Sequence, residues 1–279
     1  MKIAISAESA IDMSPDMLEK YDIKTVAFGI NFNDQLVQDK FGISSEIFDY
    51  VNKSKVLPKT SAVSPEQFKT HFENLKQEYD AVIHISLSSQ MSCAYNNARL
   101  IAEEMDDVYV VDSKTLSTGI ALLAIFAREL VDGGKSINEV YDMTVACVDR
   151  VQASFIPESL NYLHKGGRCN ALTLLGANLL KIKPEIVVDN GRMIVAKKYR
   201  GQMNKVIETY CEELIAECPN ADKKYCFITH SSPMPDVESI LEEKLKGAGF
   251  KTVFNTIAGG TVSSHCGPGT IGVLFLNGE

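Results

Sequence analysis

The side chains best equipped for chemistry fall in one stretch, Gly259-Gly-Thr-Val-Ser-Ser-His-Cys-Gly-Pro-Gly-Thr-Ile-Gly272. Its fourteen residues hold five glycines, four hydroxyls and one histidine. Glycine allows close backbone approach, hydroxyls donate and accept hydrogen bonds, and an imidazole titrates near neutrality. Within it, Gly267-x-Gly269-x-x-Gly272 matches the dinucleotide-binding pattern letter for letter. That pattern works only between a strand and a helix whose N-terminus faces the pyrophosphate. Here the glycines run into the apolar stretch Val273–Leu276, which reads as a strand. Nucleotide binding is therefore set aside. What remains is a glycine-rich loop expected to present His265 to something small.

Three hydroxyl clusters fall where strands should end and helices begin. Thr60-Ser61 precedes a helix capped by Ser64. Ser86-Leu-Ser-Ser-Gln-Met-Ser92 follows a buried strand and runs into a helix start, and Asp112-Ser113 leads into Leu116-Ser-Thr-Gly119. Each alone fits capping and turn chemistry. Ligands of parallel α/β sheets sit beyond the C-terminal strand ends, so the three together, with His265, favour an anion-binding crevice for a carboxylate or phosphate. The alternative is a small-molecule hydrolase or phosphotransferase using Ser92 and His265, with Ser264 as an alternative to Ser92 and Asp112 as the third member. Against it, the Gly-x-Ser-x-Gly elbow is missing, and the adjacent Ser264 and His265 diverge if extended. No carboxylates sit at metal-ligand spacing, so neither a metal nor a cofactor is expected, and no residue is assigned to catalysis. His71, His84 and His230 are expected in core or surface roles. Lys165-Gly-Gly-Arg168 reads either as a helix C-cap with a solvated arginine or as a docking or ligand-screening loop.

The elements that must position these groups alternate between strand and helix. Strands are expected at Lys2–Ile5, Thr25–Phe28, Ala81–Ser86 and Val108–Val111. A helix over Pro65–Tyr79 has Ser64 as N-cap, Pro65 at the first position and Gln67 closing a capping box. Phe68, Phe72, Leu75 and Tyr79 give it one buried face. Further helices start near Ser92, span Leu116–Val131, and open at Ser136-x-x-Glu139. Such alternation implies a parallel sheet covered on both faces. The second half reads as a strand at Gln152–Ile156, a helix at Leu172–Leu180, and a hairpin, Pro184–Val188 with Met193–Lys198, turning at Asn190-Gly191. Then follow a helix at Asn204–Glu217, a strand at Tyr225–Thr229, a helix at Pro235–Ala248 and strands near Thr252–Thr256 and Ile271–Leu276. The expected class is α/β in two domains. Residues 1–158 form an α/β/α domain with a mainly parallel sheet, and 159–279 a second α/β domain with a mixed sheet.

Composition narrows the function classes. With 279 residues, 45% apolar and 23% charged, the chain is globular and long enough for two cores. A net charge of -8 argues against nucleic-acid binding, which relies on Lys and Arg meeting phosphates. The seven cysteines are scattered and lack a Cys-x-x-Cys pair, as expected of reduced thiols. Lys2–Ile5 reads as a first strand, not a leader, and no apolar run reaches membrane-spanning length. A cytoplasmic protein without stable membrane insertion is expected.

Several of these stretches together resemble the DegV family. They are Pro58-Lys-Thr-Ser-Ala-Val-Ser64, Ser88-Ser-x-Met-Ser92 with Tyr95, Asp112-Ser113 with Gly119, Leu163-His-Lys-Gly-Gly-Arg168, and Gly260 through His265-x-Gly-Pro-Gly269. Glu8-Ser9 with Asp12 resembles the family's Asp-Ser-Thr-x-Asp start. The resemblance covers essentially the whole chain. It implies a bacterial protein that binds a long-chain fatty acid and serves as the non-catalytic subunit of a fatty acid kinase. The carboxylate would pass to a separate ATP-dependent kinase subunit for acyl-phosphate formation. By the same resemblance Thr60 or Ser61 and Ser92 hold the carboxylate, His265 sits beside it, and Arg168 faces the partner. Cys93-Ala94 stands where the family usually has Gly-Thr.

Overall fold

The computed structural model describes residues 1–33, 35–169 and 182–278. The first half runs β1 (Ile3–Glu8), α1 (Pro15–Lys20), β2 (Ile23–Val26), β3 (Gly29–Phe32), β4 (Gln35–Gln38), α2 (Ser44–Ser54) and β5 (Lys59–Ser61). It continues with α3 (Pro65–Lys76), β6 (Ala81–Ser86), α4 (Ala94–Ala102), β7 (Val108–Asp112), α5 (Thr118–Asp132) and α6 (Ile137–Cys147). The second half runs β8 (Val151–Ile156), α7 (Asn161–Gly166), β9 (Lys183–Asp189), β10 (Arg192–Tyr199) and α8 (Met203–Glu217). It closes with β11 (Ala221–His230), α9 (Pro235–Gly247), β12 (Thr252–Ile257), α10 (Gly260–Cys266) and β13 (Ile271–Asn277).

Three sheets result. Strands β2-β1-β6-β7 form a four-stranded parallel sheet, and β10-β9-β8-β13-β11-β12 a six-stranded mixed sheet in which only β11 and β12 run parallel. The third, β4-β3-β5, is a short antiparallel sheet. The α/β class with one parallel and one mixed sheet is as expected; the small sheet is an addition. Helix α5 explains its own composition: it packs on β1 and β6 and also on β8, β11 and β13, so it needs an apolar surface all round. One core is therefore continuous from α3 through α5 to Phe155 and Leu274 of the mixed sheet. A second core lies between that sheet and α8 with α9, around Tyr210, Leu214, Leu241 and Leu245.

Local signals hold where they are strong. Both capping boxes form, Ser64 with Gln67 and Ser136 with Glu139. Asn190 and Gly191 both adopt positive φ, 47° and 79°, as the tight hairpin demands. Other expectations change. Residues 151–156 pair with β13 and β9, so a division at 158/159 would part β8 from its own sheet. Thr60 and Ser61 lie in a strand paired with β3, not in a simple approach to a helix. Gly260–Cys266 is helical, not a loop, because its N-terminus is held from outside, as described below. The helix expected at 172–180 lies outside the described residues.

Candidate functional site

The site begins at β5. Side chains alternate along a strand, so Thr60 and Ser61 face opposite ways. Thr60 turns inward, and its Oγ1 lies 2.8 Å from His265 Nε2. Ser61 is exposed and its Oγ covers the α-carbon of Gly29, where a Cβ would come within 2.2 Å of it. Of the two candidates only Thr60 therefore reaches His265.

His265 rides on α10, a seven-residue helix built from poor helix formers. Two distant carboxylates hold its start. Asp39 accepts from Gly260 N at 2.6 Å and Thr261 N at 3.0 Å, while Asp12 accepts from Gly259 N at 2.7 Å and from the Ser117 hydroxyl. These donors are orphaned at any helix start, and the dipole there favours negative charge. Gly260 is required by space: a Cβ would stand 2.1 Å from Ile30 Cδ1 and 2.6 Å from Ile43 Cγ2. Burial, offset in part by the bonds from Ser117 and Gly259, pushes the Asp12 carboxyl up to about 8. Asp39 carries no signal in the sequence; its partners in α10 lie more than two hundred residues away.

Burial, with the nearby Arg168 charge, lowers the His265 imidazole to about 4, so it is neutral at neutral pH. Its Nδ1 is buried without a hydrogen-bond partner and lies against Gly166, where a Cβ would sit 2.5 Å from that nitrogen. The basic loop is thereby explained. Gly166 admits the histidine ring, and Gly167 closes α7 in the left-handed conformation with φ 68°. Arg168 then turns its guanidinium back to the Gly166 carbonyl at 2.8 Å while remaining exposed.

Thr60, Ser92, Arg168 and His265 line one cavity of about 230 Å³. Its other walls are mostly apolar: Phe28, Ala62, Leu87, Met91, Leu116, Val262 and Met193. Leu116, Val262 and Cys266 also wall a smaller hollow of about 30 Å³ between α5 and the mixed sheet, lined by Ala153, Phe155, Val188 and Leu274. An apolar track thus leads away from the polar end. Outside, Met91, Arg168 and Met193 are shared with a groove that adds Gln90, Gly167 and Arg192. Arg192 donates to Gln90 Oε1 at 3.0 and 2.8 Å, and Ser88 Oγ donates to Gly191 O at 2.8 Å, so the hairpin clasps the loop after β6. Among the described residues neither Arg168 nor Arg192 meets a carboxylate.

The loop carrying Ser92 is held from below. Glu8 accepts from Ser86 Oγ at 2.5 Å and from Leu87 N at 2.9 Å. Ser92 Oγ accepts from Ala94 N at 3.1 Å, which leaves its own proton available to a ligand. Among the described residues nothing assembles a hydrolytic triad. His265 Nε2 faces Thr60, Asp112 is occupied by Ser89 and Lys114, and Ser264 Oγ is buried without a partner. Cys93 lines the cavity as an exposed free thiol. Among the described residues no helix is long and apolar enough to cross a membrane.

The fold is one that known proteins share. Residues 2–278 match the family model whose description reads "Uncharacterised protein, DegV family". The chain belongs to the DegV family. A relative from Thermotoga maritima called "Fatty acid-binding protein" is 33% identical over 282 residues, covering 98% of this chain and 96% of that one. The crystal structure of a DegV lipid binding protein from the same organism superposes with a TM-score of 0.87 at 30% identity, covering 100% of both chains. DegV from Bacillus subtilis, described as a fatty acid binding protein, superposes at 0.86 with 25% identity, over 99% of this chain and 99% of that one. The likeness extends over the whole fold described above.

Proposed function

We propose that this DegV protein binds a long-chain fatty acid in the cavity between its sheets, carboxylate at Thr60, Ser92 and His265, tail along the apolar track. The observation that carries this reading is the Thr60–His265 pair at the polar end of an otherwise apolar cavity. A neutral imidazole can donate Nε2–H to Thr60 Oγ1, which frees the threonine proton for an anion. Each buried methylene then adds about 0.8 kcal/mol, so the tail supplies affinity and the hydroxyls supply orientation. The names borne by the Thermotoga and Bacillus relatives support the same ligand.

The polar end faces the exposed Arg168 and Arg192, so the carboxylate sits nearest the surface. This supports presentation to a separate ATP-dependent kinase subunit that forms the acyl phosphate, with Arg168 on the partner side and no catalytic group in this chain. The protein would act in the bacterial cytoplasm. Native mass spectrometry of protein purified from a bacterial host tests the binding: the expected result is a co-purifying mass of long-chain fatty acid size. An empty protein that also fails to take up added palmitate would refute it.

A further inference from the structure

Outside the cavity, the most unusual chemistry lies on the face of the parallel sheet covered by α3. Side chains of β1 and β6 alternate there, and register pairs Ser6 with His84. Ser6, Glu8, His84 and Ser86 share this face and are fully buried. They form a chain. Ser6 Oγ lies 2.7 Å from His71 Nε2 and 3.0 Å from His84 Nδ1; His84 Nε2 lies 3.3 Å from Glu8 Oε1, within ion-pair range though without a hydrogen bond. Phe68 and Phe72 seal His84 with ring centroids at 5.2 and 5.5 Å. The outer end differs: His71 lines an open cleft of about 730 Å³ formed with α1, β2 and the loop after β4.

We infer that His71, Ser6 and His84 form a proton relay that connects this cleft to the buried Glu8. Ser6 has one proton, so the chain has two polarities. In the first, His84 directs Nε2–H at Glu8, its Nδ1 accepts from Ser6, and Ser6 accepts from His71 Nε2–H. His71 Nδ1 is then a bare acceptor. A proton arriving at His71 Nδ1 moves the Nε2 proton to Ser6 and the Ser6 proton to His84 Nδ1. The result is an imidazolium at His84 facing the Glu8 carboxylate, with Ser6 donating to His71 and His71 Nδ1 now carrying hydrogen. One proton enters, and the net charge of the Glu8–His84 pair rises from minus one to zero.

His71 suits the role of conduit because burial, and then the charge of His84, lower it to about 3, so it passes a proton on without keeping it. The charged groups that share its cleft are Asp12, Asp39, Lys40 and Glu66. At the inner end Ser86 and the Leu87 N–H bind Glu8, and Leu87 lines the ligand cavity. The buried pair can thereby load a proton without opening the sheet, and its charge is felt at the cavity wall. This inference stands independently of the lipid reading.

Long-range ¹H–¹⁵N correlation spectra of histidine-labelled protein across the pH range it tolerates test the relay. In the wild type, His84 gains a proton and His71 exchanges its protonated nitrogen from Nε2 to Nδ1 at one shared midpoint. In Ser6→Ala the shared midpoint is lost, whereas Ser6→Thr, which keeps a hydroxyl, retains it. Separate midpoints in the wild type, or no tautomer change at His71, overturn the inference whether or not the alanine variant folds.

Discussion

Two regions of this protein bury a histidine beside a hydroxyl, and they do opposite things with it. On the parallel sheet, both His84 nitrogens face protein groups, Ser6 on one side and Glu8 on the other. At the cavity, His265 has a single partner, Thr60, and a second nitrogen with none. The first arrangement runs from the cleft at His71 through Ser6 to the Glu8–His84 ion pair within the sheet. The second borders an apolar cavity and stands next to a guanidinium that, among the described residues, meets no carboxylate. Burial depresses the His265 imidazole; what distinguishes the two sites is that the nitrogen without a hydrogen bond lies 3.3 Å from a carboxylate in His84 and against Gly166 in His265.

The comparison breaks most visibly if α10 loses its anchor. Asp39→Ala strips the charged acceptor from two backbone donors, each such bond being worth roughly 1.5–3 kcal/mol. Chemical denaturation should show a loss of about 3 kcal/mol or more, with fatty-acid binding abolished because His265 moves. A fully stable variant that still binds lipid would show that α10 does not depend on this carboxylate.

Next in size is the cavity end itself. Thr60→Val keeps the shape and removes the hydroxyl, and Ser92→Ala does the same on the opposite wall. Each should weaken palmitate binding by about 1.5–3 kcal/mol, or roughly 10- to 150-fold, by titration calorimetry with an unchanged melting temperature. Ser61→Ala, on the outer face, should leave affinity as it is. An equal effect of Ser61 and Thr60 would contradict the strand geometry.

How far these positions could be read in the sequence depends on where the information resides. The helix at Pro65 announces itself through Ser64, Pro65 and Gln67, all local. Asn190-Gly191 marks its hairpin for the same reason, and the apolar run of α5 reflects burial between two sheets. Helix α10 gives no such sign, since glycine, serine and threonine are poor helix formers and its anchors lie at Asp12 and Asp39. The sheet holding Thr60 is equally silent, being made of three- and four-residue strands, largely exposed, that the period-two pattern cannot mark. Yet the polar ladder was there to be seen: Ser6, Glu8, His84 and Ser86 alternate with Ile5, Ala7, Ile83 and Ile85 in strands buried at every position. Thr60, Ser92, Arg168 and His265 converge on one cavity, whereas Ser61 does not.

A pH experiment sharpens the contrast further. The Asp12 carboxyl is raised from 3.8 to about 8 in the fold. The folded state therefore holds a proton that the unfolded state releases. The associated stability is fully present below the unfolded value and is lost as pH rises through about 8. Asp12→Asn should flatten the decline in denaturation midpoint between pH 3.8 and about 8. An unchanged slope across that window would place the pH sensitivity elsewhere.

The smallest effect concerns Arg168. Its guanidinium is exposed, so Arg168→Ala should alter palmitate affinity by less than about 1 kcal/mol. The same change removes a positive charge beside His265 and should raise that imidazole from its depressed value, visible in its proton titration. With a kinase subunit present, acyl-phosphate formation should slow while lipid stays bound; an unaffected rate at limiting kinase would exclude a partner-side role.

The central claim is that a fatty-acid carboxylate rests on Thr60 beside His265, and carbon-13 NMR of palmitate labelled at its carboxyl tests it most directly. One bound carboxyl resonance is expected in the wild type, insensitive to pH where the free acid titrates and displaced in Thr60→Val. A bound signal that follows the free acid's titration and ignores the substitution would contradict the account.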